Sequence, residues 1–329
     1  MPRSSNQKQK LLLLADIFRK ETNEEHPITL ARLIEILGNN GIEAERKSIY
    51  SDIDTLCQYG MEIEKTGSSR NTAYYYVGGT FGLHELKLLA DAVACSKFIT
   101  EKKSRELITK LTSLSNNHDA DELKRNVIVS DRIKNANEQI YYNIDTIQRA
   151  IREKKKIRFL YFDFDPKKNK KYHNDGAYSE VSPYALCWRE ENYYLVGYYG
   201  KYDGVTNFRA DKIEKAEILD EKRIEPPKDF NLNEYTKKRF GMFSGSDVRV
   251  TLRVHNSLSG VVFDRFGKNI TIYNDDEDKD YFVINQPVTA SQIFYGWVCQ
   301  FGQKMEILAP ADIRKDFKGY VKNICKLYN

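Results

Sequence analysis

Residues 182–213 have the sequence SPYALCWREENYYLVGYYGKYDGVTNFRADKI. Two runs rich in aromatic and aliphatic side chains, residues 184–188 and 192–199, flank a polar turn at residues 189–191, and a third run follows at residues 207–213. Each run is long enough for one strand, and the polar turns between the runs are short. The pattern therefore predicts three antiparallel strands in a twisted meander.

Side chains alternate between the two faces of a strand, so the middle run presents tyrosine and aliphatic side chains on both faces. On the third strand Arg209 and Asp211 point away from Phe208 and Ala210. An arginine on an otherwise apolar sheet, beside tyrosine and serine hydroxyls, can bind an anion or a nucleotide. The alternative is that Arg209 pairs with Asp211 or another carboxylate and stabilises the sheet. The sequence leaves both interpretations open.

Three segments resemble a known family: residues 183–186 (PYAL), 193–197 (YYLVG) and 208–213 (FRADKI). They closely resemble the core of the WYL-domain transcriptional regulators. The tryptophan of the eponymous triplet is Tyr193 here, and tyrosine keeps the aromatic plane. Members of this family carry an N-terminal helix-turn-helix, a middle sensor barrel and a C-terminal extension. The resemblance therefore implies a multidomain α+β chain whose WYL domain is a small SH3- or Sm-like β-barrel.

Four domains are expected when this plan is applied to the chain. They are a winged helix-turn-helix DNA-binding domain at residues 1–80, a helical connector at 81–143, a WYL sensor domain at 144–222 and a C-terminal extension domain at 223–329. The proline-containing linker Glu225-Pro226-Pro227 lies at the start of the last domain. Beyond it, the apolar runs predict the order β-β-β-α-β-α, which is an α+β sandwich.

The first domain is predicted from helical periodicity. Apolar side chains at helical spacing predict a first helix over residues 8–20, and Thr29 is placed to cap a second helix. A third helix is expected over residues 46–59, with Ile49 and Ile53 facing inward. Three short helices with a tight glycine-containing connection between the second and third are typical of a helix-turn-helix. Two strand-like runs joined by a polar loop follow, and we interpret them as a wing.

The start of the third helix supplies the predicted DNA contacts. It exposes hydrogen-bond donors and an aromatic ring suited to phosphates and base edges, and the wing loop adds one arginine. The predicted DNA-binding residues are Arg46, Lys47, Ser48, Tyr50, Ser51 and Arg70. Many relatives have a basic residue where Ser51 stands, so tight binding is expected to need a dimer. The alternative is a small helical docking module in which these side chains are merely solvated.

Overall charge gives little support to nucleic-acid binding. The net charge is +5, but residues 1–80 contain ten lysines and arginines against eleven aspartates and glutamates. Any DNA-binding surface must therefore be local. The five cysteines form no CxxC pair and the five histidines are dispersed, so we expect no metal, no disulfide framework and no cofactor. No apolar run is long enough to span a bilayer, and residues 1–10 are polar, which predicts a cytoplasmic protein without a membrane partner.

The resemblance implies a transcriptional regulator, and we expect a repressor. Its expected partners are an inverted-repeat operator in double-stranded DNA, a second copy of the chain in a homodimer, and a nucleotide or oligonucleotide effector. The predicted effector-binding residues are Ser182, Tyr184, Trp188, Arg189, Tyr194 and Arg209.

Other functions are weighed against this one. The sequence contains no phosphate-binding glycine loop, nucleophile elbow or HExxH helix, so no enzyme is expected. The alternative function is a binding module that does not recognise DNA. In that case the barrel binds RNA or a peptide, and the winged helix mediates protein contacts.

Overall fold

The computed structural model describes residues 6–68, 71–79, 81–126, 134 and 137–328. The chain divides into two units, Met1–Glu138 and Gln139–Asn329. The predicted winged helix and most of the predicted connector fall in the first unit. The predicted WYL domain and C-terminal extension fall in the second.

Three helices and a small antiparallel sheet form the first part of the N-terminal unit. Its elements are α1 Asn6–Glu21, β1 Ile28–Thr29, α2 Leu30–Asn39, α3 Arg46–Gln58, β2 Ile63–Thr66 and β3 Ala73–Tyr76. The three predicted helices and the two strands predicted after them are confirmed. Strand β1 has no sequence signal because two residues are too few for a period-2 pattern. It pairs with β3, which gives the sheet order β1-β3-β2.

Local chemistry explains where α2 begins and ends. The Thr29 side chain accepts a hydrogen bond from the Arg32 amide, which confirms the predicted N-cap. Gly41, with a φ angle of +74°, turns the chain toward α3. The three helices then share one buried core, which includes Leu14, Phe18, Leu33, Leu37, Ile49 and Ile53. This core holds α3 by its inward face, so the opposite face of α3 lies at the surface.

Three further helices complete the N-terminal unit: α4 Leu83–Cys95, α5 Glu101–Thr112 and α6 Asn117–Asn126. They occupy the region of the predicted connector, which is helical as expected. The Thr100 side chain caps α5. Hydrogen bonds from Asn23 to Asp119 and from Asn117 to Glu21 connect α6 to the first part of the unit.

The second unit begins with α7 Ile140–Glu153, which packs on a six-stranded sheet. The strands are β4 Lys155–Phe164, β5 Lys170–Tyr172, β6 Ser179–Arg189, β7 Asn192–Tyr199, β8 Gly204–Arg209 and β9 Ile213–Lys222. Their order is β5-β4-β6-β7-β8, and β9 also pairs with β4. The sheet curls around the core beneath α7. In the described residues β8 and β9 do not pair with each other, so a curled half-barrel stands where a small barrel is predicted.

The predicted meander is confirmed in β6, β7 and β8, which pair in sequence order. The turn between β6 and β7 has positive φ angles of +46° at Glu190 and +63° at Glu191, as a two-residue hairpin turn requires. The third run of the meander ends earlier than predicted. Strand β8 stops at Arg209, and Ala210–Lys212 form a 3-10 turn that leads into β9. The cause is tertiary, because this turn brings Ile213 into the buried core.

A β-bulge interrupts β6 at Tyr184. The pairing with β7 shifts between Pro183 and Ala185, so Tyr184 is the extra residue. The two strand backbones approach closely at this point. A β-carbon added at Gly197 on β7 would lie 2.4 Å from the carbonyl oxygen of Ser182. Gly197 is therefore required for space at the bulge.

Replacing Gly197 by alanine is expected to lower the free energy of unfolding of the second unit by about 1–3 kcal/mol, because the facing backbone cannot move aside for the methyl group. Chemical denaturation followed by tryptophan fluorescence measures this change, since Trp188 and Trp297 both lie in the second unit. Gly200→Ala is the matched control, because a β-carbon there meets nothing within 4 Å. Equal stability of Gly197→Ala and the parent protein would contradict the argument from space.

The C-terminal part of the second unit is a four-stranded antiparallel sheet with helices. Its elements are α8 Leu232–Lys238, β10 Ser246–His255, α9 Ser259–Phe266, β11 Ile272–Asn274, β12 Tyr281–Ala290, α10 Gln292–Cys299, β13 Met305–Ala309 and α11 Ala311–Cys325. The predicted order β-β-β-α-β-α is wrong in one place, because α9 follows the first strand. This eight-residue helix contains Val261 and Val262, whose β-branched side chains weaken a helical signal. The order βαββαβ, with strands arranged β11-β12-β10-β13, is that of a ferredoxin-like sheet.

A short segment, residues 239–243, joins the two sheets of the second unit, and we call it the strap. Phe240 is buried in the core of the C-terminal sheet. Met242 is buried against Tyr194 on the outer face of β7. Gly241 lies between them with a φ angle of +59°. Alternate side chains of the strap therefore connect the six-stranded sheet to the C-terminal sheet.

Three further findings concern membrane-spanning helices, metal ligands and cysteines. No helix in the described part of the chain is long and apolar enough to cross a membrane. Within the same ranges, no group of three or more histidine, cysteine, aspartate or glutamate side chains is placed to hold a metal ion. The five cysteines are free thiols.

Candidate nucleic-acid interface and ligand site

Helix α3 has one buried face and one exposed face. Ile49, Ile53 and Leu56 lie in the core, as their spacing predicts. Arg46 and Lys47 are exposed in the first turn of the helix. Neither side chain forms an ion pair among the described residues. Both cationic groups are therefore available at the surface.

Tyr50 and Ser51 extend this exposed face by one helical turn. The Tyr50 side chain is near the buried Tyr74 of β3, whose pKa is raised by burial and further by Tyr50. Exposed Lys65 of β2 lies over the Tyr74 ring, 5.8 Å from its centroid. The predicted wing contact Arg70 lies outside the described residues. The structure therefore brings Tyr50 and Ser51 together with the first turn of α3.

Ser48 has a different environment. It is half-buried and hydrogen-bonded to the ammonium group of Lys10 on α1. The same ammonium group lies 2.7 Å from the carboxylate of Asp52. Ser48 is thus placed at the contact between α1 and α3. The sequence signal for this pair is the position of Lys10, which falls at helical spacing from the buried side chains of Leu14 and Ile17.

Among the predicted effector-binding residues, Ser182 and Tyr184 lie beside the linker to the C-terminal domain. The buried Ser182 hydroxyl accepts a hydrogen bond from the Ile224 amide at 3.0 Å. The Tyr184 hydroxyl donates to the carbonyl oxygen of Glu225 at 3.3 Å. Burial raises the pKa of Tyr184, and the positive charge of Arg223 opposes this shift. Both hydroxyls therefore attach the linker to the sheet.

Arg189, Tyr194 and Arg209 share one face of the sheet, whereas Trp188 lies on the other. Tyr194 pairs with Arg209 across β7 and β8, and Arg189 lies on the same side at the end of β6. Trp188 points the opposite way and packs against Tyr193, with ring centroids 4.7 Å apart. The six predicted residues are thus divided among three places, and the two arginines among them, Arg189 and Arg209, lie on the same face.

Arg209 forms the structural ion pair that the sequence leaves open as an alternative. Its Nε and Nη2 atoms donate to Asp211 at 3.0 and 2.7 Å, and Nη2 also donates to Asn192 at 3.0 Å. The hydrogen bonds to Asp211 raise the pKa of Arg209. The side chain is still 37% exposed, and its Nη1 donors make no hydrogen bond within the described ranges. Asp211 therefore orients the guanidinium group and leaves one edge of it free.

Two tyrosines lie next to this arginine. The Tyr161 hydroxyl accepts a hydrogen bond from the Arg209 amide at 3.3 Å, and burial raises the pKa of Tyr161 to about 12. Burial also raises the pKa of Tyr194, which is 5% exposed and covered by Met242. Both phenols are therefore protonated at neutral pH. The covered ring of Tyr194 is not open for base stacking in this structure.

Residues of the C-terminal domain approach the same face near the hairpin turn. Arg189 donates to the carbonyl oxygen of Thr236 at 3.4 Å, and Glu190 accepts a hydrogen bond from the Gly241 amide at 3.0 Å. The side chain of Arg265 on α9 is close enough to Arg189 for the two charges to interact. No local pattern predicts these neighbours, because they come from distant parts of the chain.

Comparison with known protein families gives a separate match for each of the two sheets of the second unit. The WYL domain family matches residues 142–218, and the WCX domain family matches residues 246–324. A search of curated proteins finds no significant match.

The solved structures that are similar to the chain include two of low sequence identity. One is proteasome accessory factor B/C (PafBC) of Arthrobacter aurescens, with 18% identity over 98% of this chain and 49% of that chain, and a TM-score of 0.29. The other is described as a CRISPR Cas-related protein, with 16% identity over 87% of this chain and 74% of that chain, and a TM-score of 0.37. The chain thus spans about half the length of the PafBC chain.

Both structural similarities have low identity and a low TM-score, so the assignment rests on the two domain families. The WYL match covers α7 and most of the curled sheet, and the WCX match covers the ferredoxin-like sheet. The resemblance carried by residues 183–186, 193–197 and 208–213 is confirmed. The chain therefore has the domain content of a WYL-domain regulator, with a WYL domain at residues 142–218 followed by a WCX domain at residues 246–324.

Proposed function

We propose that this protein is a transcriptional repressor that binds operator DNA through its N-terminal unit and senses a nucleotide or oligonucleotide through its WYL domain. One observation carries the DNA-binding part. Helix α3 buries its apolar face and presents Arg46, Lys47 and Tyr50 on the other. These are groups that contact phosphates and base edges in a major groove. We expect the protein to act in the cytoplasm.

The order of elements supports a winged helix-turn-helix. Helix α2 is followed by a short turn that contains Gly41, then by α3, and then by the β2-β3 hairpin, which corresponds to the wing. In a helix-turn-helix the second helix of the pair lies in the major groove. We therefore assign α3 as the recognition helix, and the exposed Lys65 on β2 as a wing cation.

We infer that the protein binds an inverted repeat as a homodimer, because one recognition helix presents few cations to DNA. The first turn of α3 presents two of them, Arg46 and Lys47, and phosphate-driven affinity increases with the number of contacts. Two copies that bind half-sites one or more helical turns apart would add their contacts. We propose that the C-terminal domain helps to hold the two copies together.

The proposed effector site centres on Arg209. Asp211 orients its guanidinium group, and the free Nη1 edge can donate two hydrogen bonds to a phosphate. The neighbouring strap connects this face to the C-terminal sheet through Met242 and Phe240. A ligand can shift the chain between DNA-competent and DNA-incompetent states only by its difference in affinity for them, roughly 1–3 kcal/mol in known cases.

Fluorescence anisotropy with labelled DNA from upstream of the protein's own gene tests the proposal. We expect specific binding in excess competitor DNA, two chains per symmetric site, and an affinity that falls as salt rises. Binding no tighter than to the competitor would contradict operator recognition. Labelled RNA and peptide probes in the same assay test the alternative of a binding module that does not recognise DNA.

Replacing Arg209 by alanine is expected to leave operator binding intact and to weaken the response to the effector, because the guanidinium group is the proposed phosphate contact. The measurement is release of the operator complex by a panel of nucleotides and short oligonucleotides. An active ligand should act at a concentration at least about 10-fold higher on the variant, since a charge-assisted contact is lost.

Arg158→Ala is the matched control for this variant. Arg158 lies on β4 of the same sheet, is 42% exposed and pairs with Glu217 at 2.6 Å. The Arg158→Ala variant should release the operator at the same ligand concentration as the parent protein. If Arg209→Ala unfolds, its pair with Asp211 is structural, and if it folds and responds normally, the effector binds elsewhere.

A further inference from the structure

Three arginines gather where the six-stranded sheet meets the C-terminal sheet. They are Arg189 at the end of β6, Arg239 in the strap and Arg265 on α9. Other arginines of the second unit form close ion pairs, for example Arg209 with its aspartate at 2.7 Å and Arg253 with its aspartate at 2.6 Å. In the cluster, the guanidinium groups donate to main-chain carbonyl oxygens instead.

These contacts hold the cluster in place without neutralising it. Arg265 donates to the carbonyl oxygen of Arg239 at 2.7 Å, and Arg239 donates to the carbonyl oxygen of Tyr235 at 2.9 Å. Two guanidinium groups also lie over aromatic rings, Arg239 at 3.5 Å from the Tyr235 centroid and Arg265 at 3.7 Å from the Phe240 centroid. The side chains are thus preorganised, and their positive charge remains.

Two carboxylates lie nearby, and both have other partners. Glu190 accepts a hydrogen bond from the strap amide of residue 241. Asp247 accepts a hydrogen bond from the Thr289 hydroxyl at 2.7 Å, and it lies 4.0 Å from Arg239. The other two arginines form no ion pair in the part of the chain that the structure describes. Positive charge therefore exceeds negative charge in the cluster.

Burial makes this excess unfavourable. Burial lowers the pKa of Arg265 to about 10, and the charge of Arg189 lowers it as well, against the opposing effect of Glu190. Arg239 is 9% exposed, and the buried Nε atoms of Arg239 and Arg265 have no hydrogen-bond partner. Buried charges in proteins are normally paired. An anion that entered the cluster would supply the missing counter-charge.

We propose that Arg189, Arg239 and Arg265 form a phosphate-binding site, occupied by a phosphorylated ligand or by free phosphate. The planar guanidinium group can donate two parallel hydrogen bonds to phosphate oxygens, which suits this chemistry. Arg189 belongs to strand β6 of the six-stranded sheet, and Arg265 to helix α9 of the C-terminal domain. A phosphate between them would link the two sheets across the strap. The cluster shares Arg189 with the predicted effector-binding residues but does not include Arg209, and its test does not depend on DNA binding.

Isothermal titration calorimetry of the full chain without DNA tests the site. The probe is inorganic phosphate at constant ionic strength, with chloride as the reference anion. We expect binding by the parent protein and a Kd at least about 10-fold higher in Arg189→Gln and in Arg265→Gln, because each removes a charge-assisted contact. Arg158→Gln removes the same charge from an exposed arginine of the same sheet and should bind like the parent. If circular dichroism shows that Arg265→Gln does not fold, the Kd of Arg189→Gln for phosphate decides whether the site exists.

A trinucleotide with and without a 5′-phosphate separates the two sources of phosphate. Tighter binding of the phosphorylated form, lost in Arg189→Gln, supports a phosphorylated ligand, whereas binding of inorganic phosphate alone supports the free ion. Failure of both probes to bind the parent protein would overturn the proposal, as would an equal loss in Arg158→Gln. Binding that is lost in Arg209→Ala but kept in Arg189→Gln would also overturn it, because the anion would then lie at the proposed effector site.

Discussion

Replacing both Arg46 and Lys47 by alanine is expected to weaken operator binding on the order of 100-fold at physiological salt, because a homodimer would lose two cations from each chain. Each lost phosphate contact reduces the slope of log affinity against log salt by about 0.9, so the slope should fall by about 3 to 4. The fold should be unchanged, since both side chains are exposed and lie outside the core. Fluorescence anisotropy at several salt concentrations measures affinity and slope together.

The matched control makes the same change of charge elsewhere in the N-terminal unit. Arg105 and Lys110 lie on α5, and their side chains are 76% and 68% exposed. The double variant Arg105→Ala, Lys110→Ala should keep most of the affinity, because only long-range attraction is reduced. Unchanged affinity and slope in the Arg46 and Lys47 double variant would remove α3 from the DNA interface.

Asp52→Asn is expected to lower the free energy of unfolding of the N-terminal unit by about 2–4 kcal/mol, because it leaves the Lys10 ammonium group buried without a counter-charge. The Lys10 side chain is 6% exposed, and the hydroxyl of Ser48 would be its remaining contact from α3. The lower end of this range allows for the Asp52 side chain, which is 18% exposed. The two side chains are close in shape, so the variant tests charge and leaves packing nearly unchanged.

Two probes can follow the two units separately in one sample. Trp188 and Trp297 belong to the second unit, so tryptophan fluorescence does not report directly on unfolding of the first. Far-UV circular dichroism also records α1 to α6 of the N-terminal unit. We expect Asp52→Asn to move part of the circular dichroism transition to lower denaturant and to leave the fluorescence transition in place.

A variant without either charge separates pairing from packing. Lys10→Met with Asp52→Leu should regain much of the stability lost in Asp52→Asn, because well-packed apolar side chains can replace a buried ion pair. A single Asp52→Asn variant as stable as the parent protein would show that the pair contributes nothing. The result matters for function, because Asp52 follows Ser51 on α3 and the pair connects that helix to α1.

Local sequence patterns were sufficient to predict the buried faces and the ends of several helices and strands. Ile49, Ile53 and Leu56 recur at helical spacing, and all three are buried on α3. Thr29 caps α2 as predicted, since a side-chain hydrogen bond to an amide three residues away needs no distant partner. Strand β7 has the predicted limits, because its alternation and its hairpin turn are local as well.

Elements that depend on distant partners were predicted less well. Strand β1 is two residues long and exists because β3 pairs with it. Strand β9, which pairs with β4, follows a 3-10 turn in the region predicted to be the end of the third meander strand. Helix α9 contains β-branched side chains, yet Val262 is fully buried in the core of the C-terminal sheet. Tertiary packing outweighs local propensity in such short segments.

The sequence alone was sufficient to identify the WYL domain, because residues 183–186, 193–197 and 208–213 carry the resemblance within one short region. It also identified α3 as the helix with an exposed polar face. Tertiary structure alone decided which polar groups are free. In the sequence, Ser48 and Ser182 are predicted ligand contacts just as Ser51 is. In the structure, the hydroxyl of Ser48 is hydrogen-bonded to Lys10, and the hydroxyl of Ser182 is hydrogen-bonded to the Ile224 amide. Hydrogen bonding and burial depend on groups that folding brings together from distant positions, whereas helical period and turn chemistry are set by neighbours in the chain.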